Sequence, residues 1–261
     1  MSALVFGAVV LAVLFALPST AALALLLAIM AVAGWEWSGL VWGSRRAIRV
    51  AYSIAVVALC LGLPLLVPSR IGVDVFLVTA LLWWICAFAW VTLRPGWTPV
   101  PLAVVAGLLV LVPAWLALRW LLSCEQGAQW ILFCLLIMVA ADSGAFFAGR
   151  HFGRVKLAPL VSPNKTWEGV MGGVLLACMV AIAGAWWFDV ATSQLLLVSV
   201  AAVCFSIVGD LLESMFKRAA GVKDSGRLLP GHGGILDRID SLTAGAPALV
   251  AGLRLLGVLQ P

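Results

Sequence analysis

Apolar residues in this chain gather into long continuous blocks, and polar residues are confined to the gaps between them. The blocks lie near 3–17, 20–42, 47–67, 73–93, 100–122, 129–149, 169–188, 194–214 and 242–258. Most approach the roughly 20 residues that a helix needs to cross the hydrocarbon core of a bilayer. Barrel strands would alternate apolar and polar side chains, and no such alternation is present. In lipid every backbone amide must find its partner within its own segment, so continuous blocks predict helices. The expected fold is an all-α polytopic membrane protein with about nine transmembrane helices.

Composition agrees with that pattern, since 64% of the residues are hydrophobic and only 10% are charged. The opening stretch MSALVFGAVVLAVLFALPSTAALA has the apolar centre of a secretory signal, but no Lys or Arg precedes it, so it reads as the first span. Six cysteines sit within or beside apolar blocks without C-x-x-C spacing, which points to small packing residues rather than a zinc site or a disulfide framework. The polar positions divide the chain. Residues 1–125 read as an apolar transmembrane scaffold, and residues 126–261 as a transmembrane catalytic region.

Basic residues set the orientation, because short cytoplasmic loops retain Lys and Arg. With nine spans and a cytoplasmic N-terminus, 13 of the 16 basic residues face inside, leaving Arg70, Arg119 and Arg254 outside. Three polar clusters then meet at the cytoplasmic face: Asp142 in AADSGAFFAGR, the segment SPNKTWEG (Ser162–Gly169), and Asp210 through Ser241. The expected setting is an inner membrane with the active site facing the cytoplasm.

The third cluster is the densest. Asp210, Glu213, Ser214 and Lys217 are spaced i, i+3, i+4 and i+7, so one helical face presents two carboxylates, a hydroxyl and an ammonium. An internally neutralised interfacial stripe would look the same. Farther on, Pro230-Gly231-His232-Gly233-Gly234 permits tight turns in which backbone amides can approach an anion, just before Asp237, Arg238, Asp240 and Ser241. Carboxylates near a polyphosphate suit Mg²⁺, a hard cation that bridges one or two carboxylates to substrate phosphates. Familiar nucleotide loops are absent: Lys165-Thr166 lacks the glycines of a Walker A loop, and G-x-G-x-x-G does not occur.

The run from Ser214 to Asp240, SMFKRAAGVKDSGRLLPGHGGILDRID, resembles the C-terminal signature of the phosphatidate cytidylyltransferase (CDP-diacylglycerol synthase) family. SPNKTWEG is similar to a second family motif, and Trp35-Glu36-Trp37 also fits the family pattern. The resemblance is specific over residues 140–245. It implies that CTP and phosphatidate give CDP-diacylglycerol and pyrophosphate, with Mg²⁺ and room for a second cation. Membrane lipid is the expected surrounding, nucleic acid is not a partner, and a homodimer is implied. Asp210 and Asp237 are expected as leading metal ligands, with Asp142, Glu213 and Asp240 as further ligands or supports, their ranking left open. Lys165, Lys217, Arg218, Lys223 and Arg238 would hold phosphates, with Ser162, Asn164, Ser214, His232, Gly233 and Gly234 as further substrate contacts; Lys165 and Lys217 join Asp210 and Asp237 as the catalytic set.

Two other classes fit less well. An ion-coupled transporter would carry paired midplane charges in repeated halves, and the first half has no counterpart to the charged cluster. A CTP-dependent transferase acting on a polyprenol or ether-lipid phosphate would need similar phosphate chemistry and would differ only in its acyl groove.

Overall fold

A computed structural model describes residues 2–66, 69–228, 231 and 233–259. Among them the chain forms nine helices and one hairpin: α1 (Ser2–Ala16), α2 (Ser19–Trp42), α3 (Arg46–Leu66), α4 (Arg70–Leu93), α5 (Val100–Ser123), α6 (Gly127–Phe152), β1 (Lys156–Ala158), β2 (Ser162–Thr166), α7 (Trp167–Phe188), α8 (Thr192–Ala219) and α9 (Leu236–Leu255). Seven of these helices, α2 through α8, are long and apolar enough to cross a membrane. The protein is thus a helical membrane protein. Helix α1 contributes only a shorter apolar stretch, Gly7–Ala16. Helix α9 begins with Asp237, Arg238 and Asp240 and is then buried almost continuously, from Ser241 to Ala251.

Two close helix contacts place the polar residues. On α7 the small residues Gly169, Gly173, Ala177, Ala181 and Ala185 recur every fourth position and are all buried. Small side chains let helix backbones approach where lipid offers no hydrophobic drive for association. A Cβ at Gly144 of α6 would run into the carbonyl of Gly172, and one at Gly173 into that of Ala141. That contact fixes Asp142 of α6 beside the segment that enters α7. The second contact joins α8 to α9, where a Cβ at Gly209 would strike the Asp240 carbonyl. Asp210 and Asp240 therefore lie at the same crossing.

The hairpin is the element that apolar blocks did not anticipate. Strands β1 and β2 pair antiparallel, with Lys156 opposite Thr166 and Ala158 opposite Ser162. Thr166 ends β2 and caps α7, its hydroxyl accepting from the Gly169 amide at 3.2 Å. The polar segment SPNKTWEG is thus a strand running into a helix N-terminus. Its basic residue Lys165 is held one position before the cap.

Helices α2, α4 and α5 are not remote from this region. Helix α9 packs on α4 and α5 as well as α8, and α2 touches both α8 and α9. Trp37 of α2 lies 4.9 Å from Phe216 of α8, centroid to centroid, and donates its indole N–H to the Ala103 carbonyl at 2.8 Å.

Candidate active site

Lys165 and Asp210 meet on the wall of a cavity of about 310 Å³ between α6, β2, α7 and α8. Lys165 Nζ lies 2.6 Å from Asp210 Oδ2, and Ser214 Oγ donates to Asp210 Oδ1 at 3.2 Å. Asp142, Asn164, Thr166, Ser206 and Ser241 supply the remaining polar walls. Ser241 Oγ reaches Asp142 Oδ1 at 3.5 Å. Asp142, Asp210 and Asp240 repel one another electrostatically, while Lys165 and Arg238 offset Asp142.

A second ion cluster lies deeper. Lys217 Nζ bridges Glu213 Oε2 at 3.0 Å and Asp237 Oδ1 at 2.8 Å. Glu213 is 2% exposed, and its other oxygen, Oε1, is buried without a hydrogen-bond donor. Asp237 is fully engaged: besides Lys217 it accepts from the Ser225 amide on both oxygens, at 3.1 and 3.0 Å, and from the Gly234 amide at 2.7 Å. Partial burial works against the Asp237 carboxylate, but the Lys217 hydrogen bond and these amides outweigh it and hold its pKa below the ordinary carboxylate value.

The expected residues thus fall into distinct places. Asp210, Asp142, Lys165 and Asn164 come together around the cavity, and Lys217, Glu213 and Asp237 form the neighbouring cluster. The two carboxylates ranked first end on different cations, Asp210 on Lys165 and Asp237 on Lys217. Arg218 is exposed and donates to the Val222 carbonyl at 3.4 Å, and Lys223 is exposed on the loop after α8. Ser162 is half-buried in β2. Gly233 has φ 78° and Gly234 gives its amide to Asp237. His232 lies outside the described residues.

Among the described residues no group of three or more His, Cys, Asp or Glu side chains closes into a metal cage. Mg²⁺ does not require one, since it is usually held by one or two carboxylates, waters and substrate phosphates. The cavity offers mutually repelling carboxylates, hard oxygen donors, and an ammonium already drawn onto Asp210. These residues fit a divalent cation.

A family model described as "Cytidylyltransferase family" matches residues 1–256. The chain belongs to the cytidylyltransferase family. It is 41% identical over 231 residues to a phosphatidate cytidylyltransferase of Pseudomonas aeruginosa, covering 86% of this chain and 84% of that protein. A phosphatidate cytidylyltransferase of Haemophilus influenzae is 50% identical over 132 residues, 47% of this chain and 44% of that protein. One of Staphylococcus epidermidis is 48% identical over 127 residues, 48% of this chain and 49% of that protein.

One residue of this family member was not singled out for the site. Glu36, on α2, is 3% exposed and reaches the start of α9. The signal was present, because an acidic residue inside an apolar span is costly and marks a specific role. Its partner could not be read from the sequence, because about 200 residues separate the two.

Proposed function

We propose that this protein is a phosphatidate cytidylyltransferase, working in an inner membrane with its site toward the cytoplasm. One observation carries the reading beyond family membership. The polar cavity shares Val170 and Ile207 with an apolar groove of about 350 Å³, lined also by Trp84, Phe88, Phe205 and Leu211. A charged pocket that borders an apolar groove suits a lipid phosphate, with the head group at Lys165 and the acyl chains along the groove.

In this reading an oxygen of the lipid phosphate attacks the α-phosphorus of CTP. A new P–O bond forms, the bond from the α-phosphorus to the bridging oxygen breaks, and pyrophosphate leaves with that electron pair. Both reactants are anions, so alignment and charge compensation dominate the barrier. The nucleophile is already ionised and needs no strong base. Lys165 pairs with substrate phosphate once it is drawn from Asp210. Lys217, fixed between Glu213 and Asp237, contributes a preorganised positive charge nearby. Asp142 and Asp210, the two carboxylates that line the cavity, would hold Mg²⁺ together with water and substrate phosphates, and the cation would neutralise charge on the triphosphate.

Incubating the purified protein with labelled CTP and a panel of lipid phosphates and lipid alcohols tests the assignment. Phosphatidate should be converted to CDP-diacylglycerol with release of pyrophosphate. Turnover of a polyprenol or ether-lipid phosphate in its place would replace the assigned substrate.

The groove makes a separate prediction. Ile207→Trp fills the shared wall, so KM for long-chain phosphatidate should rise by about tenfold, roughly the effect of misfitting one or two methylenes in an apolar pocket. KM for CTP should stay unchanged. An equal rise for a short-chain lipid would detach the groove from the acyl chains.

Orientation is open to cysteine labelling in a chain whose exposed Cys86 and Cys204 are replaced by Ser. Leu160→Cys and Leu228→Cys, 82% and 59% exposed in the wild type, should react with a membrane-impermeant reagent from the cytoplasm, and Ile71→Cys, 76% exposed, from the opposite side. Reaction of positions 160 and 228 from different sides would break the single cytoplasmic site.

A further inference from the structure

Glu36 sits in the half of the chain that holds few acidic groups, and its carboxylate is nearly inaccessible to water. A buried carboxylate needs donors to offset its lost hydration. Those donors come from the far end of the chain. Glu36 Oε1 accepts from the Ile235 amide at 3.1 Å, and Oε2 accepts from the Leu236 amide at 2.7 Å and the Ser225 hydroxyl at 3.3 Å.

Ile235 is the N-cap of α9 and makes no side-chain capping bond of its own. The first amides of a helix have no partner within it, and they carry the positive end of the helix dipole. Glu36 therefore caps α9 from another helix. Two glycines make room for it. A Cβ at Gly226 or at Gly234 would run into the Glu36 carboxylate. The flexibility expected around Gly234 thus serves contact with one of the protein's own carboxylates.

The same segment is held from its other side by Asp237, through the Ser225 and Gly234 amides. Ser225 meets both carboxylates, its hydroxyl on Glu36 and its amide on Asp237. Were Glu36 unable to accept, the Ile235 and Leu236 amides would be buried without partners, and the turn would shift toward Asp237, the carboxylate that already accepts from the Gly234 amide. Asp237 would then leave its present geometry, and with it the Lys217 ammonium.

We propose that Glu36 is a positioning residue for the catalytic loop: a cap supplied by α2 that sets the start of α9 and through it the Asp237–Lys217 pair. The proposal rests on the functional reading above only in its expectation for turnover. Its structural content, a loop clamped by Glu36, is independent of the substrate.

The test compares Glu36→Gln, Glu36→Asp and wild type as full-length protein in detergent. Gln keeps the volume but replaces one acceptor oxygen by an N–H₂ donor facing amide donors. Displacement of the Asp237–Lys217 pair by an ångström should lower kcat by about a hundredfold while KM for CTP stays within about threefold. Glu36→Asp keeps the charge and should retain more kcat than Glu36→Gln. Trypsin supplies a readout that needs no turnover. Cleavage after Lys223 and Arg227 should accelerate in Glu36→Gln, while cleavage after Arg150 and Arg154 proceeds at the wild-type rate. A kcat within threefold of wild type for Glu36→Gln overturns the proposal, and so does equal acceleration at all four sites, which would mean general loosening. If wild type fails to use phosphatidate, the functional assignment falls, and unequal cleavage still supports the clamp or equal cleavage removes it.

Discussion

Lys217→Ala is expected to remove activity and a large part of the stability together. Its ammonium, in a residue only 9% exposed, bridges Glu213 and Asp237, and Glu213 is buried still more deeply. Removing one partner of a buried ion pair leaves the other charge uncompensated, which costs about 3–5 kcal/mol. Asp237 suffers less, because the Ser225 and Gly234 amides remain on it. The uncompensated charge to correct is therefore that of Glu213. In thermal unfolding in detergent, Glu213→Gln combined with Lys217→Ala should recover much of the lost midpoint, because the buried carboxylate is gone. Turnover should not recover, because the positive charge is still missing. A single Lys217→Ala variant that unfolds at the wild-type temperature would show that the bridge is not a buried ion pair in energetic terms. Recovery of turnover in the double variant would remove Lys217 from the catalytic set.

Asp210→Asn should produce the opposite balance, with activity lost and the fold kept. The side chains of Asp210 and Lys165 are 25% and 26% exposed, so their ion pair is partly solvated and adds little to stability. The unfolding midpoint should stay close to wild type. In catalysis the expected loss is larger, because on the proposed reading Asp210 is a charged oxygen donor to the cation beside the phosphates. About 3 kcal/mol of transition-state stabilisation corresponds to roughly two orders of magnitude in rate. Lys165→Ala should fall by a similar factor, and the double variant by little more than either, since the two act as a unit. Activity of Asp210→Asn within about threefold of wild type at saturating Mg²⁺ would remove Asp210 from the cation site.

The contrast between these variants depends on depth, which neither residue discloses in the linear pattern. On α8, Asp210 and Lys217 belong to the same stripe and look equivalent. Asp210 opens onto the cavity, whereas Lys217 is enclosed by α9 and the loop before it.

What could be read along the chain followed from local physics. Long apolar blocks had to become helices, because lipid offers their amides no other partner, and α2 through α8 form where those blocks lie. The charged residues could be picked out by type and crowding, because a membrane protein bears the cost of such groups only where they have a task. The hairpin escaped that reading. Its strands have three and five residues, too short for a period to declare itself, and they are held by their own pairing and by the helix that follows.

Beyond the i, i+4 neighbours on α8, partnership belonged to the tertiary structure. Lys165 meets Asp210, Lys217 meets Asp237, and Glu36 meets the start of α9 across separations that no spacing rule encodes. Gly226 and Gly234 illustrate the difference. As letters they signal a loop that can turn tightly; in the fold they are the positions at which a side chain would displace the Glu36 carboxylate. Residue type sets which charges, donors and small surfaces are available. Helix packing alone decides which of them come within bonding distance, because hydrogen bonds and ion pairs act over a few ångströms and these residues are brought that close only when α2, α8 and α9 are assembled.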